Sequence, residues 1–236
     1  MNFVAIETAT EWCSVALWSD AGIVSLERRA GNRQGEFVLP MLAQLFGQTG
    51  LGMRDLDAIA FGAGPGAFTG LRIACAVAQG LALARGLPVI GISTLEATAE
   101  EGGATRALVA LDARMHEVYY AAFEKRVADR KTSWHAVLPA ACVAPDEVEI
   151  PPGDGWLGCG SGFSVYRDRI GPRLQGVLAR VAADVRPSAV AVARLAAPRL
   201  AAGEGVDAAL ATPHYIRDKV ALTTAEQGKT EQGKRR

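Results

Sequence analysis

Phe3-Val-Ala-Ile-Glu7 is an apolar run closed by an acid, and Leu108-Val-Ala-Leu-Asp112 repeats the pattern 105 residues later, 112 minus 7. Unbroken apolar runs of this length read as strands covered on both faces. Each is followed by a second strand, 13–17 in one case and 118–123 in the other. The offset is close to half the chain, so the leading architecture is a tandem duplication of one α/β unit. A chance match of two short runs rich in Val, Ala and Leu is the competing explanation.

Working outward from the first run, 12–18 and 23–29 form strands joined by the turn Ser19-Asp-Ala-Gly22, which makes an antiparallel meander. Residues 36–48 read as a helix with Pro40 in or near its first turn, and 56–61 as a strand. Residues 70–85 give a second helix, stopped by Gly86-Leu-Pro88, before a strand at 89–92 and a short helix from Thr94. The order is βββαβαβα. The small, flexible stretch Glu101-Gly-Gly-Ala-Thr105 marks the boundary, which divides the chain into domains 1–102 and 103–224. The second unit continues with strands near 134–138 and 155–159, a helix at 162–170, and an Ala-rich helix between Ser188 and Gly203. Residues 225–236 are polar, repeat Glu-Gln-Gly-Lys and read as a disordered tail.

The chain has 236 residues, half of them hydrophobic, with 25 Lys and Arg against 25 Asp and Glu. That length and composition exclude a disordered or fibrous protein and supply ample core. A formal net charge of zero leaves no global field to gather phosphates, so RNA binding needs a partner or a local basic patch. Glu7 interrupts the first apolar run too early for a secretion signal, and the longest apolar stretch, 73–84, is short of the ~20 residues a bilayer requires. Cys13, Cys75, Cys142 and Cys159 lack metal-ligand spacing and sit in apolar segments, as thiols of a reducing compartment do. The expected location is cytoplasmic.

The segment Phe61-Gly-Ala-Gly-Pro-Gly-Ala-Phe-Thr-Gly-Leu-Arg72 is a glycine-rich turn between a strand and a helix. No Lys-Ser/Thr follows its glycines, and Ala67 stands where a dinucleotide fingerprint needs glycine, so both specific phosphate motifs fail. Gly64, Gly66, Thr69 and Gly70 then either allow a tight reversal into a closely packed helix, contact an anion, or face a partner. Glu7 with Thr8, and Asp112 with Arg114, end the two repeated strands, where a metal or phosphate cleft and a purely structural capping role are the alternatives. His116, His135 and His214 have no metal-binding spacing, and there is no Gly-x-Ser-x-Gly elbow.

Two helices carry more apolar surface than one packing contact explains. In 36–48, Val38, Met41, Leu42 and Leu45, with Phe37, Leu39 and Phe46, wrap most of the circumference. In 72–85, Ile73, Ala74, Val77, Gly80 and Leu81 belong to an almost wholly apolar helix, with small residues that permit close helix approach. One side packs on the sheet. The other is covered either by the second domain or by another chain.

Six ordered blocks carry a resemblance: the run from Ala5 to Leu17; Gly64-Pro-Gly-Ala-Phe-Thr-Gly-Leu-Arg-Ile73; Ala78-Gln-Gly-Leu-Ala-Leu83; Gly91-Ile-Ser-Thr-Leu95; Leu111-Asp-Ala-Arg-Met115 with Glu117-Val-Tyr119; and Tyr215-Ile-Arg217. Together they resemble the TsaB (YeaZ) family over most of the chain, weakly between about 128 and 206. The resemblance implies a duplicated actin-like ATPase fold, also called ASKHA or ribonuclease H-like, with mixed sheets and a degenerate second half. It implies a non-catalytic scaffold that binds the paralogue TsaD, which transfers the threonylcarbamoyl group to adenine N6 at position 37 of tRNAs reading codons that start with A. TsaE joins that pair and TsaC supplies the adenylate, so ATP and metal belong to partner subunits, and tRNA is met only through the complex. The family uses its first two helices for heterodimerisation and for self-association when isolated, which places Val38, Met41, Leu42, Leu45, Ile73, Ala74, Val77, Gly80 and Leu81 at the partner surface. Glu7, Ala67 and Gln34 depart from the Asp, Ser and His usual in the family, and these departures weaken a nucleotide or metal role. The rival reading is an actin-fold ATPase or kinase holding ATP and Mg²⁺ between Glu7, Asp112 and the glycine loop, and a third is a self-contained homodimer.

Overall fold

The computed structural model describes residues 1–128 and 131–217; the tail expected at 225–236 lies outside the described residues. The first half runs β1 (Phe3–Glu7), β2 (Trp12–Ser19), β3 (Gly22–Arg29), α1 (Gln34–Thr49), β4 (Ala58–Gly64), α2 (Phe68–Leu83), β5 (Val89–Ser93) and α3 (Thr94–Gly102). The second runs β6 (Arg106–Arg114), β7 (Glu117–Ala128), β8 (Lys131–Val143), β9 (Trp156–Cys159), α4 (Gly162–Val165), α5 (Arg167–Ile170), β10 (Leu178–Ala182) and α6 (Ala189–Ala201).

The duplication is written in the sheet topology. The first sheet has the order β3-β2-β1-β4-β5 and the second, read in the matching direction, β8-β7-β6-β9-β10. In each, the first three strands pair antiparallel, and the fourth and fifth add in parallel. The repeated runs are the middle strands, β1 and β6, which is why they lack polar alternation: every residue of β1 is buried. This is the duplicated actin-like α/β fold.

Local signals set the ends of the helices. The buried Gln34 amide donates to Thr10 O (2.6 Å) and Gly31 O (2.7 Å), so α1 starts two residues earlier than its apolar pattern suggests and Pro40 falls in the second turn. Gly50 ends α1 in the left-handed region, φ 71°, with its N–H on Phe46 O. Ser93 caps α3 by accepting from Glu96 N, and Ser188 caps α6 by accepting from Ala191 N. The helix expected at 162–170 is two short pieces, α4 and α5. β10 carries no alternation because it is an edge strand with a largely exposed Ala179-Arg-Val181 centre.

The helices do not pack by chain order. α1 and α2 cover one face of the first sheet, with Val38, Leu42, Leu45, Ala74 and Ala78 against Val4, Ile6, Val15 and Phe61. The opposite face is covered by α6 of the second half, through Ala189, Val192, Ala193 and Ala196 against Phe3, Ala5, Ala60 and Ile92. α3 of the first half in turn supplies Leu95 and Ala99 to Val109, Ala121 and Leu157 of the second sheet. The break near 101–105 is the α3–β6 join, but the packing crosses the expected division into 1–102 and 103–224. Among the described residues no helix is long and apolar enough to cross a membrane.

Candidate functional site

β1 and β4 are parallel neighbours, so the turn after Glu7 meets the glycine loop after Ala63. The two are packed against each other. Ala67 N donates to Ala9 O (2.8 Å) and Thr8 Oγ1 donates to Gly70 O (2.7 Å). A β-carbon on Gly66 would lie 2.6 Å from Ala9 O, one on Gly70 would overlap Thr8 O, and one on Gly62 would sit inside the Glu7 carboxylate, 2.6 Å from its Cδ. Of the three readings of this loop, close packing is what the geometry supplies. Thr69 is exposed on the first turn of α2.

Glu7 is 1% exposed; its Oε1 accepts from Ala9 N (2.6 Å), and among the described residues its Oε2 has no partner. Burial raises its pKa from 4.5 to about 7, against the lowering effect of the Ala9 and Thr8 N–H groups. A carboxyl in that state, wrapped by its own chain, is poorly suited to holding a divalent ion.

The second half closes its own strand end in the same way. Asp112 Oδ1 accepts from Arg114 N (2.8 Å) and from Tyr166 Oη (3.1 Å), and Oδ2 pairs with Arg114 Nη1 (3.0 Å). Asp112 N donates to Ser161 Oγ (3.0 Å), and β-carbons on Gly160 or Gly162 would crowd Ala110 O. Arg114, Met115 and His116 are all left-handed, with φ of 61°, 53° and 62°. Glu7 and Thr8 on one side, and Asp112 and Arg114 on the other, are thus each engaged within their own half. An actin-type ATP and Mg²⁺ site is poorly matched by these residues: the β1–β2 turn at Thr8 and Ala9 packs its backbone directly on Gly66 and Gly70. A recess of about 320 Å³ at the α6 N terminus is lined by Ser14, Glu27, Glu101, Asp184, Arg186 and Ser188 among others, and its carboxylates oppose a polyphosphate. Among the described residues no three His, Cys, Asp or Glu side chains converge as metal ligands.

The helical face corrects part of the sequence expectation. Val38, Met41, Leu42 and Leu45 follow i, i+3, i+4, i+7 spacing, and that stripe faces the sheet: all four are buried, as is Ala74. Five of the nine residues expected at the partner surface are therefore core in this chain. Gly80 is exposed, and Ile73, Val77 and Leu81 are half-buried. The outward apolar residues lie beside them: Leu39, 54% exposed, with Ala43 and Gly47 on α1, and Ala76 and Leu83, the latter 61% exposed, on α2. At the start of α2, Phe68 and Arg72 extend this face; Arg72 lies 3.9 Å above the Phe68 ring and its Nε donates to Tyr215 Oη (3.1 Å). Among the described residues the second half leaves Leu39, Ala76 and Leu83 uncovered. The four-residue step 39, 43, 47 was available in the sequence, but the continuous apolar circumference of α1 hid which stripe points inward.

A family profile described as "TsaD: tRNA N6-adenosine threonylcarbamoyltransferase" matches residues 28–224. The Escherichia coli (strain K12) protein named "tRNA threonylcarbamoyladenosine biosynthesis protein TsaB" is 37% identical over 229 residues, covering 94% of this chain and 96% of that one. The protein of the same name from Haemophilus influenzae is 31% identical, covering 93% and 95%. Among solved structures, "YeaZ from Pseudomonas aeruginosa" superposes with a TM-score of 0.82 at 36% identity, covering 91% of this chain and 99% of that one. Similarity that spans both halves, at sequence and at fold level, leads to one conclusion: the chain belongs to the TsaB (YeaZ) family.

Proposed function

We propose that this chain takes part in N6-threonylcarbamoyladenosine formation on tRNA as a non-catalytic subunit that docks TsaD and holds it in a competent state. The reading is carried by one observation, the outward apolar face of α1 and α2, where Leu39, Ala43, Ala76, Gly80 and Leu83 face away from the chain's own core. Small residues at 43, 76 and 80 allow a partner helix to approach closely, and large ones at 39 and 83 give it apolar area. Burying a Leu contributes roughly 1.5–3 kcal/mol, so a few such residues offset the entropic cost of association. TsaE and TsaC are the further partners of this reading, tRNA is reached through the assembled complex in the cytoplasm, and the isolated chain pairs with itself through the same face. ATP and metal reside in the partner subunits, in keeping with a strand end at Glu7 already filled by the glycine loop.

Reconstitution with TsaC, TsaD and TsaE, with and without this chain and scored by modified adenosine, tests the proposal. Formation should require the chain; equal formation without it rejects the role. Calorimetry of the isolated chain with ATP and Mg²⁺ separates the scaffold from an ATPase, since micromolar binding with turnover counts against the scaffold.

A further inference from the structure

After α6 the chain does not stop at the sheet it covers but runs along α2 and crosses to the second half. Val206 and Val89 exchange two 2.8 Å backbone hydrogen bonds, and Ala208 and Ala211 are buried in the α2 core. Ala211 O accepts from Gln79 Nε2 (2.9 Å) and Cys75 Sγ (3.4 Å). Next, His214 N donates to Ala63 O (2.6 Å), and His214 O occupies the place a side chain on Gly64 would need. Tyr215 packs on Phe68 with ring centroids 5.5 Å apart. Two residues on, Arg217 pairs with Glu117, donates to Arg114 O (3.4 Å) and lies over the Tyr119 ring (5.8 Å). Its side chain is 13% exposed.

The segment therefore touches the glycine loop of the first half and, in the second, a backbone stretch that needs restraint from outside. That stretch is residues 114–116, a left-handed run of three non-glycine residues, a conformation in which the β-carbon crowds the following carbonyl oxygen. Left-handed residues outside glycine persist where surrounding structure over-determines them. Arg217 supplies part of that structure by binding the carbonyl at the start of the run.

We infer that residues 206–217 act as a clasp between the two halves: with Arg217 seated on Glu117, the glycine loop of the first half and the β6–β7 turn of the second are held together. With Arg217 withdrawn, both loosen while α3 and α6 continue to join the halves through their exchanged packing. The inference is independent of what docks on α1 and α2.

Hydrogen exchange of the full chain tests this, comparing the native sequence with Arg217→Ala, Glu117→Ala and the exchanged pair Arg217→Glu with Glu117→Arg. Either single change should raise exchange about tenfold at both 63–71 and 114–119, two segments in different halves, with α3 and α6 unchanged, and the exchanged pair should restore most of the protection. A rise confined to 214–217, a rise in only one of the two segments, or a uniform rise across the chain overturns the clasp. Arg217→Lys, which keeps the charge but loses the planar fork, is read by the same criteria if Arg217→Ala does not fold.

Discussion

Glu7 and Gly62, on adjacent parallel strands, share one volume: the carboxylate of the first fills the space a side chain on the second would take, leaving 2.6 Å to Glu7 Cδ. Gly62→Ala should destabilise the chain by roughly 1–3 kcal/mol, the usual cost of overpacking a closed core. Combining it with Glu7→Asp, which withdraws the carboxylate by one methylene, should recover part of that loss. Urea denaturation of the two single variants and the double variant measures the coupling; additive effects would show that the two side-chain positions do not compete.

The same carboxyl makes stability depend on pH in an unusual direction. Its folded pKa, about 7, lies above the ordinary 4.5, so the folded state holds a proton the unfolded state has lost. Stability from this group is fully present below about pH 4.5 and is lost progressively as pH rises through about 7. The shift corresponds to a loss of about 3 kcal/mol between pH 4.5 and pH 8. Glu7→Gln should abolish that slope, so its stability relative to the native sequence should rise by this amount from pH 4.5 to pH 8. Parallel stability curves for the two proteins would refute the assignment.

How much of this was legible beforehand varies with the physical range of each feature. β1 and β6 announce themselves because a strand covered on both faces must be apolar throughout, and the glycines at 66 and 70 because backbone contact excludes a β-carbon. The inward stripe of α1 was not legible, since Leu39 and Leu42 are equally apolar and only the position of the sheet separates them. The exchange of α3 and α6 between sheets was hidden for a related reason: the Ala-rich face of α6 and the small Leu95 and Ala99 patch of α3 fit any close neighbour. Arg217 was visible as part of a motif, but its partner Glu117 is 100 residues away and nothing local links them.

The stripe distinction gives a direct comparison of variants on one helix. Leu42→Asp buries a charge in the first core and should cost more than about 4 kcal/mol, which removes the folded chain rather than the docking face. Leu39→Asp and Ala76→Asp lie on the outward face and should change stability by less than about 1 kcal/mol while lowering TsaD retention at least about tenfold. Thermal melts and co-purification on the same samples check both halves of the statement. Retention unchanged in both folded variants moves the docking surface elsewhere.

The β6–β7 turn offers a last comparison, because His116 is exposed, left-handed at φ 62°, and two residues beyond the Asp112-bound Arg114 N–H. Glycine at this position relieves a strain of roughly 1–2 kcal/mol and adds an unfolded-state entropy cost of roughly 0.5–1 kcal/mol. His116→Gly should therefore be neutral to stabilising by about 1 kcal/mol, whereas His116→Val, with a branched β-carbon in a region that disfavours it, should lose stability. The ordering Gly, His, Val in denaturation midpoint is the expected result. Val at or above His would mean that the turn relaxes out of the left-handed region, and Arg114 O would then move out of reach of Arg217 Nη2.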